Sequence, residues 1–232
     1  MPGADATPRR LRRLLLACCL AVPPAWAAAQ APEPAAGQTP APASVEPDWI
    51  LGQLRRPPPA ATPFVELRVS SMLKKPLQLA GEYRRPDADT LVREVRAPYA
   101  ETTTIRAGQA TLAREGRAPR TFALSRVPEL AALQGSFGAL LAGDRAQLEQ
   151  HYTLQAEGAA DAWTMTLTPK DPRTATRLLA VVLRGGGDEL RCIETRPREG
   201  DAQPTLLGGA ATGADAFASL DDALRACRAP AR

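Results

Sequence analysis

Apolar and polar side chains alternate from Phe64 onward. Val65, Leu67 and Val69 take turns with Glu66, Arg68 and Ser70, and Leu77, Leu79, Gly81 and Tyr83 with Gln78, Ala80 and Glu82. A period of two is the pattern of a strand with one buried face. Leu91 to Val95 predicts a third strand, and Thr102 to Ile105 and Gln109 to Leu112 flank a turn at Ala107-Gly108. Lys74-Lys75-Pro76, Arg85-Pro86-Asp87 and Ala97-Pro98 place turn-forming residues between the runs. No helix-length periodic segment separates these strands. That argues against βαβ units and for an antiparallel meander.

The period changes in the middle of the chain. Leu130, Leu133, Phe137, Leu140 and Leu141 recur at spacings of three and four. They predict an amphipathic helix over 128–141, with Pro128 suited to its first turn and Gly143-Asp144 at its end. Arg145 to Gln150 predicts a further helical turn. Strands resume at Tyr152 to Ala156. Trp163, Met165 and Leu167 then alternate with Thr164, Thr166 and Thr168. Leu178 to Leu183 and Leu190 to Thr195 are joined through Gly185-Gly186-Gly187-Asp188, and Thr205 to Leu207 reads as a last edge strand. Asp48 is placed to cap a short helix bearing Trp49, Ile50, Leu51 and Leu54, stopped by Pro57-Pro58-Pro59. Phe217, Leu220, Leu224 and Cys227 predict a short amphipathic helix in the tail. Strands, then helix, then strands define an α+β fold class.

The N-terminus reads differently. Arg9, Arg10, Arg12 and Arg13 precede an apolar run from Leu14 to Val22, and Ala25-Trp26-Ala27-Ala28-Ala29 offers a small-residue cleavage site. A run of about nine apolar residues falls well short of the roughly 20 a membrane-spanning helix needs. Residues 1–29 are therefore expected to be a signal peptide directing export to the periplasm. Leu15-Leu16-Ala17-Cys18 also resembles a lipoprotein processing site. Only four residues then separate Arg13 from Cys18, fewer than the 7–15 of an ordinary apolar region. Residues 30–47 are rich in proline and alanine and read as an extended linker. The domain is expected at 48–208 and the tail at 209–232.

Charge and cysteine content change once the leader is set aside. The whole chain has 29 basic and 25 acidic side chains; without residues 1–29 it has 25 and 24. A net charge this small gives no electrostatic footprint for nucleic acid or an anionic surface. Cys192 and Cys227 remain, an even number in an oxidising compartment, where they could form a disulfide or stay as two buried thiols.

Catalytic constellations are not visible. His151 is the single histidine, which excludes His-rich metal sites. Neither a nucleophile elbow nor a phosphate loop occurs; Ser136 lies in Gly135-Ser136-Phe137-Gly138, and Gly185-Gly186-Gly187 is followed by Asp188 and Glu189. A non-enzymatic binding module without metal or cofactor is expected.

Phe64-Val65-Glu66, Lys75-Pro76-Leu77 and Gly81-Glu82-Tyr83-Arg84-Arg85-Pro86-Asp87 resemble the opening strands of LolA-like proteins, relatives of the periplasmic outer-membrane lipoprotein carrier. Pro128 to Leu133, Leu141-Ala142-Gly143-Asp144, His151-Tyr152, Trp163 to Asp171 and Glu199-Gly200-Asp201 continue the resemblance in order, over roughly residues 49–207. It implies an incomplete, strongly curved antiparallel β-barrel with helices forming a lid over a hydrophobic cavity. Arg85, before Pro86, stands where the family has a lid-tethering arginine, with Arg84 beside it. Leu91, Val92 and Val95 replace the family's usual aromatics, which points to a divergent branch associated with envelope lipid or aryl-polyene synthesis.

On that basis Leu67, Val69, Leu79, Tyr83, Trp163, Met165 and Leu167 are expected to line the cavity, and Phe137, Leu140 and Leu141 to cover it. Expected partners are lipid or acylated cargo, an inner-membrane donor and an outer-membrane acceptor, with the protein acting as a monomer. The competing reading is a docking subunit of an envelope biosynthesis or export complex.

Overall fold

The computed structural model describes residues 45–69, 73, 75–124, 138–212 and 217–229. The expected signal peptide, most of the linker, and residues 128–137 of the expected lid helix, Phe137 among them, lie outside the described residues. Eleven strands form one antiparallel sheet: β1 (Ala60–Arg68), β2 (Leu77–Arg85), β3 (Leu91–Ala97), β4 (Glu101–Arg106), β5 (Gln109–Arg114), β6 (Arg120–Ala123), β7 (Tyr152–Ala159), β8 (Ala162–Pro169), β9 (Leu178–Gly186), β10 (Glu189–Pro197) and β11 (Gln203–Leu207). Their spatial order is β6-β5-β4-β3-β2-β1-β11-β10-β9-β8-β7. Each half is a meander, and the two halves meet where β1 pairs with β11, Phe64 opposite Leu207. The sheet does not close on itself, since β6 and β7 are its two ends.

The sheet is curled. Laid flat, the seven steps from β6 to β10 would span about 34 Å, yet Phe122 of β6 and Ile193 of β10 line the same cavity. A bulge helps the curl. The β2–β3 register shifts between Ala80 and Gly81, and a Cβ on Gly81 would lie 1.9 Å from the Glu94 carbonyl oxygen, so only glycine fits that approach.

Helix α1 (Pro47–Leu54) sits in the hollow. Its N-cap is Glu46 and Pro47 occupies the first turn, so the helix starts two residues earlier than the Asp48 cap predicted from sequence would place it. Proline's fixed φ and missing N–H suit that position. Val45 is already buried and donates to the Gly158 carbonyl; the chain joins the fold before the expected linker ends. Ile50, Leu51 and Leu54 pack with Met165, Trp163, Leu183 and Leu207 in the main core. Gly185 makes room for the Trp163 indole, which a Cβ there would meet at 2.3 Å, and Trp163 Nε1 donates to the Gly187 carbonyl at 3.1 Å.

Residues 138–142 are helical (α2). The Gly143 N–H donates to the Leu140 carbonyl and the Asp144 N–H to that of Ala139, with Gly143 at φ 69. This is the left-handed stop that the Gly-Asp pair predicts. Asp144 then caps α3 (Arg145–Glu149) by accepting from the Gln147 N–H at 2.9 Å. A short α4 (Pro172–Ala175) follows β8.

The other face of the sheet is covered by the tail. Here α5 (Gly208–Thr212) and α6 (Leu220–Arg228) pack over Val65, Cys192 and Leu206. Cys192 and Cys227 are joined by a disulfide, with Cα atoms 5.2 Å apart. Beside it Glu194 is fully buried. Arg196 Nε lies 2.7 Å and Arg228 Nη2 2.9 Å from its carboxylate, with Arg184 at 3.5 Å. Burial works to raise the Glu194 pKa, but the hydrogen bonds from Arg228 and Arg196 outweigh it and bring it to about 2.

Two predictions follow from this packing. Replacing both Cys192 and Cys227 by serine opens a loop of sequence separation 35; unfolding free energy in urea should fall by about 4 kcal/mol. A double variant as stable as the parent would show that α6 is held by other contacts. Glu194 titrates near 4.5 when unfolded and about 2 when folded, so its contribution is complete above about pH 5 and lost as pH falls toward 2. The loss should be on the order of 3 kcal/mol. Glu194→Gln should flatten the stability profile in that window by a similar amount, read by urea titrations at pH 6 and pH 3.

Candidate functional site

The concave face divides into a filled half and an open half. The filled half lies under α1, α2 and α3. Leu79, Leu140, Trp163, Met165 and Leu167 are all buried there, in one cluster with Ile50, Leu51, Leu54 and Leu148. Leu141 is half-buried against the same cluster. The space that sequence assigns to a cavity beneath a lid is occupied by the side chains of α1.

Leu67 is turned the other way. Phe64 of β1 belongs to the main core and Val65 to the cluster beneath α5 and α6. Residues two apart on a strand share a face, so Leu67 lies with Val65 on the convex side, whereas Glu66 and Arg68 face the hollow. The expectation that Leu67 lines a cavity is corrected accordingly. β1 is apolar on both faces because the tail helices cover its back, and alternation alone cannot say which face is inner. Val69 lies half-buried just beyond β1.

The open half holds a cavity of about 340 Å3. Leu91, Ile105, Leu112, Phe122 and Ile193 form its apolar walls, and Thr103, Thr195, Thr205 and Gln203 edge it with hydroxyl and amide groups. Among the described residues, Tyr83 is the one expected cavity residue that lines it. Its size is at the lower end of small-molecule sites, roughly 300–1,000 Å3.

The floor of this cavity is charged. Glu66 is 8% exposed. Arg93 Nη2 donates to its Oε2 at 2.6 Å and Arg68 Nε to its Oε1. The Arg93 guanidinium lies 4.8 Å from the centroid of the Phe64 ring, itself 4.7 Å from the Tyr83 ring. Cation–π contact and the ion pair together offset the desolvation of Arg93. Burial first, and then the negative charge of Glu66, push the Tyr83 phenol above its ordinary pKa, so it stays protonated. At the rim Arg114 is paired with Glu101 and lies 4.6 Å from the Tyr99 ring centroid.

Arg85 is buried, and its Nη1 donates to the Arg56 carbonyl at 2.9 Å. The Arg56 N–H in turn donates to the Leu141 carbonyl at 3.0 Å. The Arg56 side chain reaches Asp188 at 3.0 Å, in the turn between β9 and β10. Arg85 therefore ties β2 to the exit of α1, and among the described residues it is linked to α2 through Arg56.

His151 is exposed in the turn before β7. No group of three or more His, Cys, Asp or Glu side chains converges among the described residues in a way that could hold a metal. No described helix is long and apolar enough to cross a membrane. Sequence reading missed Glu66, Arg68 and Arg93 because each sits in an alternating run where a charge looks like solvent face. The signal that could have found them is Arg93 between Leu91 and Val95, a charge at an inward position of a strand.

An open, curled antiparallel sheet with a helix in its hollow and an apolar-walled cavity beside it defines a binding-protein fold. The chain matches the family described as outer membrane lipoprotein carrier protein LolA-like over residues 39–230, and it belongs to that family. No curated protein matches it. Among solved structures it is similar to a LolA superfamily protein from Nitrosomonas europaea: 13% identity, 71% of this chain and 91% of that one covered, TM-score 0.38. It is also similar to LprF from Mycobacterium bovis: 12% identity, 70% and 91% covered, TM-score 0.32.

The two arginines on Glu66 should differ in worth. Arg93 is mostly buried and Arg68 has a side chain 45% exposed. Arg93→Ala leaves a buried carboxylate short of its inner partner and should lower unfolding free energy by about 3 kcal/mol. Arg68→Ala should cost less than about 1 kcal/mol. Equal losses in urea titrations would contradict this division.

Proposed function

We propose that the chain is a periplasmic carrier. It shields the acyl chain of a lipid, an acylated protein or an aryl-polyene-type cargo in transit to the outer membrane. The observation that carries this is the cavity on the hollow side of the sheet, walled by Leu91, Ile105, Leu112, Phe122 and Ile193. Membership of the LolA-like family supports it.

The physical need is large. Each methylene left in water costs about 0.8 kcal/mol, so a dozen-carbon chain costs on the order of 10 kcal/mol. A shielding protein removes most of that cost, provided its own cavity is ready-made and the chain can leave again. The open half meets both conditions: α1 keeps the other half closed, so binding does not require the core to move. On this reading Tyr83 and the walls contact the cargo, Arg85 keeps α1 seated, and the protein works as a monomer. An inner-membrane donor and an outer-membrane acceptor complete the route.

Native mass spectrometry with lipid extraction, on protein purified from its own periplasm, tests the reading. Co-purified acyl or polyene mass is expected, and Ile105→Arg should abolish it together with binding of an apolar fluorescent probe. A clean protein that also fails to bind the probe would point instead to a docking subunit of an envelope complex.

A further inference from the structure

We propose that the cavity selects a single-chain amphiphile with an anionic head, a carboxylate or a phosphate, held end-on by Arg68. This rests on the reading of the cavity as an acyl-chain site and adds what that reading leaves open, namely the chemistry of the head.

Two guanidiniums face one carboxylate on the cavity floor. Glu66 takes Arg93 on Oε2 and Arg68 on Oε1, and the rim pair of Arg114 with Glu101 balances itself. The floor therefore carries one positive charge in excess. Arg93 is stacked on Phe64 and mostly buried, so the accessible share of that charge is on Arg68. Arg68 engages Glu66 through Nε. Its two terminal amino groups have no partner among the described residues, and its side chain is 45% exposed. Those two nitrogens are the forked donor that matches the two oxygens of a carboxylate or phosphate.

The walls dictate the rest of the ligand. Leu91, Ile105, Leu112, Phe122 and Ile193 offer an apolar bed next to the charged floor. A volume of about 340 Å3 suits one slender chain and not several side by side. A neutral head would leave the excess charge unanswered. A cationic head would meet two guanidiniums before it reached Glu66.

Competition against a bound apolar fluorescent probe, with dodecanoic acid, its methyl ester, dodecyl phosphate and dodecylamine, separates the outcomes. The acid and the phosphate are expected to bind about tenfold tighter than the ester, and the amine weakest. Arg68→Gln should abolish that preference, so that acid and ester bind alike, and should lower the thermal midpoint by no more than about 4 °C. Equal binding of acid and ester overturns the head assignment while the apolar cavity stands. Preference for the amine overturns it in favour of Glu66. A preference that survives Arg68→Gln removes Arg68 from the site. Failure of all four ligands, with no probe binding, overturns the carrier reading as well.

Discussion

Eleven antiparallel strands curled into an unclosed sheet enclose more space than their own side chains fill. An eight-stranded barrel is about the largest whose interior side chains close it. Here the surplus is divided. One part is filled by α1, whose Ile50, Leu51 and Leu54 are almost completely buried against β8 and β9 residues. The other part, bounded by β1 to β6 and by β10 and β11, stays open. That division lets the protein keep a solid core and a cavity on the same face. The position of α1 is fixed at its exit by the Arg56 backbone, which accepts from Arg85 and donates to Leu141.

The two faces of the sheet each bury a glutamate, and they are handled differently. Glu194, on the convex face, has three arginines around it and a disulfide beside it, Cys192 two residues earlier on β10 and Cys227 next to Arg228. Helix α6 supplies Arg228 to this cluster, which ties the tail to the sheet. Glu66, on the concave face, has two, one sealed by aromatic rings and one half-exposed at a cavity. Exposure of the arginines does not separate the two, since Arg228 at 49% is as open as Arg68 at 45%; the apolar-walled cavity beside Arg68 does.

Most of the fold was legible because strands and helix stops have local causes. The period-two runs at Val65 to Val69, Leu77 to Tyr83 and Trp163 to Thr168 became β1, β2 and β8, and Gly143-Asp144 closed α2 as glycine at that position dictates. The cysteine pair joined as its even count allowed. β6 escaped notice, being four residues long and without a buried alternation. The site was less legible for a different reason. Which face of β1 looks inward depends on α5 and α6 arriving from more than a hundred residues away, so Leu67 and Glu66 exchange roles without any change in the local pattern. Likewise, nothing in Trp49 to Leu54 says that this helix fills the hollow and leaves the cavity to others.

If the cavity takes hydrocarbon, as proposed, its charged floor needs a physical reason. Hydrophobic burial is non-directional and grows only with the area covered, so apolar walls alone would hold a chain in any orientation and at any depth. A fixed guanidinium at one end sets both. It also limits affinity, because Arg68 is half-exposed and its attraction for an anion is screened by water and salt. For the proposed carrier that is an advantage. In the proposed complex the walls would supply most of the holding energy and the head contact the orientation. A weak head contact can be broken by an acceptor without unfolding the core that α1 and the Cys192–Cys227 bond keep in place.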